Sequence, residues 1–263
     1  MSSDAVIHPT SVVEQGASLG AGVRVGPLCH IGAQVRLGDN VEVLGQASIQ
    51  GNTEIGAGSR VFPFASIGNE PQDLKFEGEK CSLLIGENCL IREGVTMNPG
   101  TKGGGGITVV GNNCALLANS HVAHDCQLGS GVILSNNVMI AGHCTIGDHV
   151  IFGGGSAIHQ FSRVGNNAFI GGLAGVEGDV IPFGMAIGNR AHLAGLNLIG
   201  MKRAGVERAS IHAARSAYKA LFEGSRPVQD AAADLRAAES DPMVVNILDF
   251  VLASADRALC TPD

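Results

Sequence analysis

Aliphatic side chains recur at every sixth position along the first part of the chain: Ile7, Val13, Leu19, Val25, Ile31, Leu37, Val43, Ile49, Ile55, Val61 and Ile67. The register breaks at Asp73 and Glu79, resumes at Ile85, Ile91 and Met97, and breaks again over 102–106. It restarts one residue out of phase at Val110 and runs through Leu116, Val122, Leu128, Leu134, Ile140, Ile146, Phe152, Ile158, Val164 and Ile170 to Val176. A period of six is neither the helical period nor the simple alternation of a long strand. Each hexad therefore reads as a short strand and a turn, stacked into a β-solenoid. A second column of small or β-branched residues sits four places after each aliphatic, as in Ala17, Val23, Val35, Val41, Val132 and Val138. Cys29, Cys89, Cys114, Cys126 and Cys144 fall in that column and read as small buried hydrophobes, not as redox groups. The two breaks, near 72–84 and 101–109, read as loops projecting from the solenoid, where function concentrates.

The hexads resemble those of the hexapeptide-repeat family, whose fold is a left-handed parallel β-helix with three hexads, about 18 residues, per coil. That resemblance implies a β-helix domain of about nine coils over residues 1–189. Past Asp179 and Pro182 the hexads stop. From about Arg190 the apolar residues take helical spacing: Ile211, Ala214, Tyr218, Leu221 and Phe222, then Met243, Val244, Ile247, Leu248, Val251 and Leu252. Pro227 and Pro242 stand where helices start, so residues 190–263 read as a C-terminal α-helical domain of three or four helices.

Composition narrows the classes. Glycine, 38 of 263 residues, is about twice its ordinary share, which suits a narrow repetitive interior; nine prolines without every-third glycine exclude collagen. A formal charge of -7 argues against a nucleic-acid footprint. The chain shows neither a leader pattern nor a transmembrane run and reads as cytoplasmic, and its odd count of seven cysteines reads as free thiols. The charge is uneven, however. Residues 190–226 hold Arg190, Lys202, Arg203, Arg208, Arg215, Lys219 and Arg226 against only Glu207 and Glu223, whereas 227–263 are net acidic. A positive first half suits steering of an anionic partner.

Five of nine histidines lie between 121 and 159: His121, His124, His143, His149 and His159. At one coil per 18 residues, His124, Gly142 and Gln160 form one column, with rungs about 4.8 Å apart. Gly142 would admit a substrate close to the backbone and offer its N–H to an oxyanion beside a histidine base. Asp125 could hold the His124 tautomer, and His143 stacks over Asp125 by the same count. No G-x-S-x-G elbow is present, so direct transfer is simpler than a covalent acyl-enzyme.

The segments His121-Val122-Ala123-His124-Asp125-Cys126, Ala141-Gly142-His143, Ala157-Ile158-His159-Gln160-Phe161, Gln72-Asp73-Leu74-Lys75, Gly188-Asn189 and Gly200-Met201-Lys202-Arg203 resemble the UDP-N-acetylglucosamine O-acyltransferases of lipid A biosynthesis. The resemblance covers essentially the whole chain. It implies His124 as general base, Asp125 as its partner and the Gly142 amide as oxyanion donor. It further implies that Asp73, Lys75, His121, His143, His159 and Gln160 surround the sugar, phosphates and acyl donor, that Asn197 and Arg203 hold the nucleotide, and that Gly172 ends the acyl groove. Also implied are transfer of a 3-hydroxyacyl chain from the phosphopantetheine of acyl carrier protein to the sugar 3-position, no metal or other cofactor, and a homotrimer with sites between neighbouring β-helices. Asn98, Pro99, Arg190 and Ile199 depart from the family pattern, where histidine, arginine, histidine and glutamate are frequent. They keep N-acylation of a 3-amino analogue open. More remote alternatives are a zinc hydratase like the γ-class carbonic anhydrases, using His121, His124 and His143, and a non-catalytic module that binds a carrier protein through the basic helical segment.

Overall fold

The computed structural model describes residues 4–263; residues 1–3, counted in the expected first domain, lie outside the described residues. Most hexads supply a two-residue strand, such as Arg24–Val25, His30–Ile31 and Arg36–Leu37, whose second residue points inward and is buried. Consecutive strands pass to successive faces and stack as three sheets of eleven, nine and eight strands, the walls of a left-handed parallel β-helix. Identical positions pile on one another: Val25, Val43, Val61, Ile91, Leu116, Leu134, Phe152 and Ile170 form one ladder of the first sheet. Burying each such side chain stabilises by roughly 1.5–3 kcal/mol before entropy is counted. The five column cysteines are buried among them. Many corners need a left-handed residue, and asparagine, which tolerates it, fills six of them: Asn40, Asn88, Asn113, Asn119, Asn137 and Asn167, with φ from 54° to 61°.

The breaks in the hexad register have a simple geometric reading. Rung partners are 18 residues apart where the repeat is regular (Val43 with Val61), 30 across the first break (Val61 with Ile91) and 25 across the second (Ile91 with Leu116). The first insertion thus adds two whole hexads and preserves the phase. The second adds a hexad and one residue, which is why the pattern restarts one place late. Both are shorter than the breaks in the pattern, because pairing already resumes in Ser82–Ile85 and Ile107–Val110.

At the far end the first sheet continues through Gly184–Ile187 and turns back antiparallel as His192–Leu196, with Leu193 in the core. The expected boundary at 189/190 falls in that turn. Four helices follow: α1 (Leu198–Arg203), α2 (Arg208–Phe222), α3 (Val228–Ala238) and α4 (Pro242–Leu252). Pro227 precedes α3, and Pro242 opens α4 behind Asp241, whose carboxylate accepts from the Met243 and Val244 amides at 3.0 and 3.2 Å. Ala214, Leu221, Ala232, Val244 and Leu248 are buried where the helices pack. The chain then returns to the β-helix, where Asp179 bridges Leu259. No helix among the described residues is long and apolar enough to cross a membrane.

Candidate active site

One edge of the prism, between the second and third sheets, gathers both insertions and most of the candidate residues. The first insertion leaves the second sheet at Ser66–Ile67 and joins the third at Ser82–Ile85; the second leaves at Thr96–Met97 and joins at Ile107–Val110. The next rungs of the same edge carry His124–Asp125, Gly142–His143 and Gln160–Phe161, each following a strand of the second sheet. Backbone bonds join them in order, His143 N to His124 O at 3.0 Å and Phe161 N to Gly142 O at 3.1 Å.

Asp125 is the buried hub of this edge. Its side chain is fully buried, and its backbone is left-handed at φ 61°. Thr101 donates to it twice, N to Oδ1 at 2.7 Å and Oγ1 to Oδ2 at 2.6 Å; Thr108 Oγ1 accepts from the Asp125 amide at 2.8 Å. Gly104 presses against the carboxylate so closely that any side chain there would clash with it. The second insertion therefore folds back onto the edge instead of projecting, because a buried carboxylate must be supplied with donors. Asp125 Oδ2 lies 2.8 Å from His124 Nδ1. Since the carboxylate acts as acceptor throughout, this network assigns the proton to Nδ1 and leaves Nε2 as the basic nitrogen.

Gly142 faces that ring. A Cβ built there would stand 2.7 Å from His124 Cε1 and 2.9 Å from Nε2, closer than any real side chain sits. The Gly142 N–H has no acceptor among the described residues. His143 lies edge-on to His124 at 4.9 Å and stacks on Phe161 at 4.4 Å, its Nδ1 3.8 Å from Asp125 Oδ2. Burial holds the His143 pKa below the ordinary imidazole value, outweighing the pull of Asp125. His121, whose Nδ1 is 2.7 Å from Thr96 Oγ1, is also lowered, chiefly by burial and then by the neighbouring His124. Around neutral pH both therefore act as uncharged hydrogen-bonding groups.

The other candidates separate into those near this centre and those away from it. Asp73 and Lys75 belong to the first insertion, which is anchored where Gln72 N donates to the buried Asn98 Oδ1 at 3.2 Å; their charges act on His143. His159 and Gln160 sit exposed on the same edge, held by Arg257. Gly172 lies on another corner, where neither a positive φ nor crowding demands glycine: a Cβ would meet only the Gly154 backbone, O at 3.4 Å and N at 4.0 Å. Asn197 and Arg203 line a cavity of about 730 Å³ with Ile151, Phe169 and Met185 of the first sheet and with His149. That cavity shares no lining residue with the His124 edge. Asn197 also caps α1, accepting from Gly200 N at 2.8 Å.

Sequence reasoning passed over Thr101, Thr108, Thr96 and Arg257. Thr101 and Thr108 lie in and just beyond the broken register, Thr96 is the outward residue of a regular strand, a position where the repeat sets no residue type, and Arg257 lies in the return segment. Among the described residues the one group with clustered ligand atoms is His124, Asp125 and His143, within 4.8 Å. This replaces the set of His121, His124 and His143 imagined for zinc. Both imidazoles turn Nδ1 toward an oxygen that Thr101 already satisfies, an arrangement for orienting a base.

Residues 179–260 match the family model described as UDP N-acetylglucosamine O-acyltransferase, domain 2, and residues 107–142 match that of the bacterial transferase hexapeptide, six repeats. The acyl-[acyl-carrier-protein]–UDP-N-acetylglucosamine O-acyltransferase of Rhizobium johnstonii is 55% identical over 263 residues, 100% of this chain and 97% of the relative. The chain belongs to the UDP-N-acetylglucosamine O-acyltransferase family. The Sinorhizobium fredii O-acyltransferase of the same name is 56% identical over 99% of this chain and 97% of its own. Solved UDP-N-acetylglucosamine O-acyltransferase structures agree. A crystal structure of a UDP-N-acetylglucosamine acyltransferase superposes with TM-score 0.94 at 39% identity, covering 98% of this chain and 99% of that one. The Moraxella catarrhalis O-acyltransferase gives 0.93 at 37% identity, with 97% and 99% covered. The nine-strand wall and the edge beside it thus belong to an acyltransferase scaffold, and a zinc hydratase reading has no further support.

Proposed function

We propose that this chain transfers a 3-hydroxyacyl group from acyl carrier protein to the 3-hydroxyl of UDP-N-acetylglucosamine, the first step of lipid A biosynthesis, as a cytoplasmic homotrimer. The observation that carries the mechanism is the meeting of a base and a vacant amide: His124 presents Nε2 beside Gly142, whose N–H has no acceptor among the described residues. His124 Nε2 takes the proton of the sugar hydroxyl as its oxygen attacks the thioester carbonyl. The charge that develops on the carbonyl oxygen is met by the Gly142 N–H, and the imidazolium by Asp125. Collapse breaks the carbon–sulfur bond, and the departing thiol takes the proton back from His124. No step calls for a metal or a bound cofactor.

Asn197 and Arg203 supply nucleotide contacts, Arg203 as a phosphate clamp. They flank the first sheet, so they serve the His124 edge of a neighbouring copy, which is the physical reason for a trimer. His121, His143, Asp73, Lys75, His159 and Gln160 line the sugar and acyl-donor approach. Gly172, free of any packing demand for glycine, leaves the acyl groove open to a long chain. The acidic carrier protein docks on the α1–α2 face, where Lys202, Arg208, His212 and Arg215 line one cleft. The deciding experiment offers 3-hydroxyacyl carrier protein with UDP-N-acetylglucosamine and its 3-amino analogue to the wild type and His124→Ala, with products read by mass. Ester formation lost in the variant supports the assignment. Preference for the amino sugar changes the product to an amide, and acylation of neither by a folded wild type overturns the reading.

A further inference from the structure

We propose that Arg257, in the segment after α4, is a positioning residue for this edge: it sets the tautomer of His159 and pins the turn that carries Gln160. The inference rests on the acyl-transfer reading above. The Arg257 guanidinium forks over two acceptors of one turn, with Nη2 2.7 Å from His159 Nδ1 and Nε 3.0 Å from Gln160 O. A guanidinium only donates, so His159 Nδ1 accepts and the ring proton sits on Nε2. His159 is exposed, and its other hydrogen-bonding neighbour is the Gln160 carbonyl, 3.2 Å from the same Nδ1. A carbonyl only accepts. Without Arg257 that contact draws the proton to Nδ1, the opposite tautomer, and His159 turns from a donor at Nε2 into an acceptor there.

The arginine is delivered by a part of the fold that does not depend on it. Asp179 N donates to Ala258 O at 2.8 Å, and Cys260 N donates to Asp179 O at 2.8 Å, seating the return segment one rung beyond Gln160. The Asp179 carboxylate is buried and accepts from Arg163 N and Nε, both at 2.7 Å, while the Arg163 guanidinium rests 4.5 Å over the Phe250 ring of α4. The turn held by Arg257 in turn holds the centre. Phe161 N donates to Gly142 O, and the Phe161 ring stacks on His143.

The test uses full-length protein labelled with 15N-histidine, Arg257→Ala, His159→Gln and the double variant. Long-range proton–nitrogen spectra read the His159 tautomer, assigned by the signal that His159→Gln removes. The expected result is an Nε2–H tautomer in the wild type and Nδ1–H in Arg257→Ala. The acyl-transfer kcat/KM should fall about ten-fold in Arg257→Ala, the size of one hydrogen bond to a charged donor. Because the part of the Arg257 effect that passes through His159 is already gone in His159→Gln, the double variant should fall by clearly less than the two single losses combined. An Nδ1–H tautomer in the wild type, an unchanged tautomer in Arg257→Ala, or losses that add in the double variant would each overturn the proposal. A wild type inactive on both UDP-sugars would count against the acyl-transfer reading, while the tautomer comparison would still decide whether Arg257 holds His159.

Discussion

Replacing Gly142 by alanine separates two functions that share one residue, the amide donor and the space beside the base. The backbone N–H survives in Gly142→Ala, so the oxyanion donor is retained. The new methyl group, however, would lie 2.7 Å from His124 Cε1 and 2.9 Å from Nε2, whereas ordinary contact begins at 3.4 Å. The backbone at Gly142 is fixed by its bond from Phe161 N, so the imidazole must yield, by about 0.5–1 Å, and with it the 2.8 Å bond from Nδ1 to Asp125. Misplacing a reacting group by that distance costs on the order of 100-fold in rate. We therefore expect kcat to fall about 100-fold with KM for the UDP-sugar changed by less than about three-fold, because contacts to the nucleotide lie elsewhere. Steady-state kinetics with 3-hydroxyacyl carrier protein give both constants, and a thermal melt checks the fold. A kcat within two-fold of wild type, in a variant that still melts cooperatively, would refute the claim that His124 is placed by the absence of a side chain at 142.

Thr101→Val removes the hydroxyl donor from Asp125 Oδ2 but keeps the Thr101 amide bond, so we expect loss of about 1–3 kcal/mol of stability and about a ten-fold lower kcat; an unchanged melting temperature would show that another donor replaces it. His121 and His143 have folded pKa values below the ordinary 6.5, so as pH falls the unfolded chain takes up protons first; the stability they contribute is present above about pH 6.5 and lost as pH drops through their folded values. Melting temperatures followed from about pH 7 to about pH 5 should decline less steeply in His121→Gln than in wild type. Arg215→Glu or Lys219→Glu should raise KM for the carrier protein, most at low ionic strength, and leave kcat in place; an unchanged KM removes the docking face. Inactive His124→Ala and Arg203→Ala chains, unfolded and refolded together, should regain activity, since a mixed assembly pairs an intact edge with an intact nucleotide cavity; no recovery from a well-mixed assembly would place both residues in one chain's own site.

How far the site could be read from the chain follows from what kind of contact each residue makes. Within the regular coils, sequence distance is spatial distance. A partner 18 residues on lies one rung away, so the His124–Gly142–Gln160 column and the placing of His143 over Asp125 were legible before any coordinate. The same arithmetic is blind wherever the rung offset changes. Thr101 reaches Asp125 across 24 positions, and Gln72 reaches Asn98 across 26, because each contact crosses an insertion whose path no period dictates. Arg257 meets His159 across 98 positions, a contact made by the helical domain returning to the β-helix. Asn197 and Arg203 carry a family likeness in the chain but no geometric clue, since the cavity they line belongs to a face that the hexad count treats as equivalent to the other two.

The edge also shows how a generic property of this fold becomes chemistry. At this corner the second residue past the strand leaves its amide without an acceptor, rung after rung: His124, Gly142 and Gln160 all do so. Vacant donors are therefore a by-product of the winding. Gly142 is different because it carries no side chain and because the residue one rung below is a histidine whose orientation is fixed by a buried carboxylate. The insertion that brings Thr101 supplies the missing piece, holding Asp125 so that the base stays where the repeat has put it. The repeat sets the spacing between donor and base at one rung, and the two irregular segments, 101–106 and the C-terminal return, fix the groups that the repeat alone would leave free to turn.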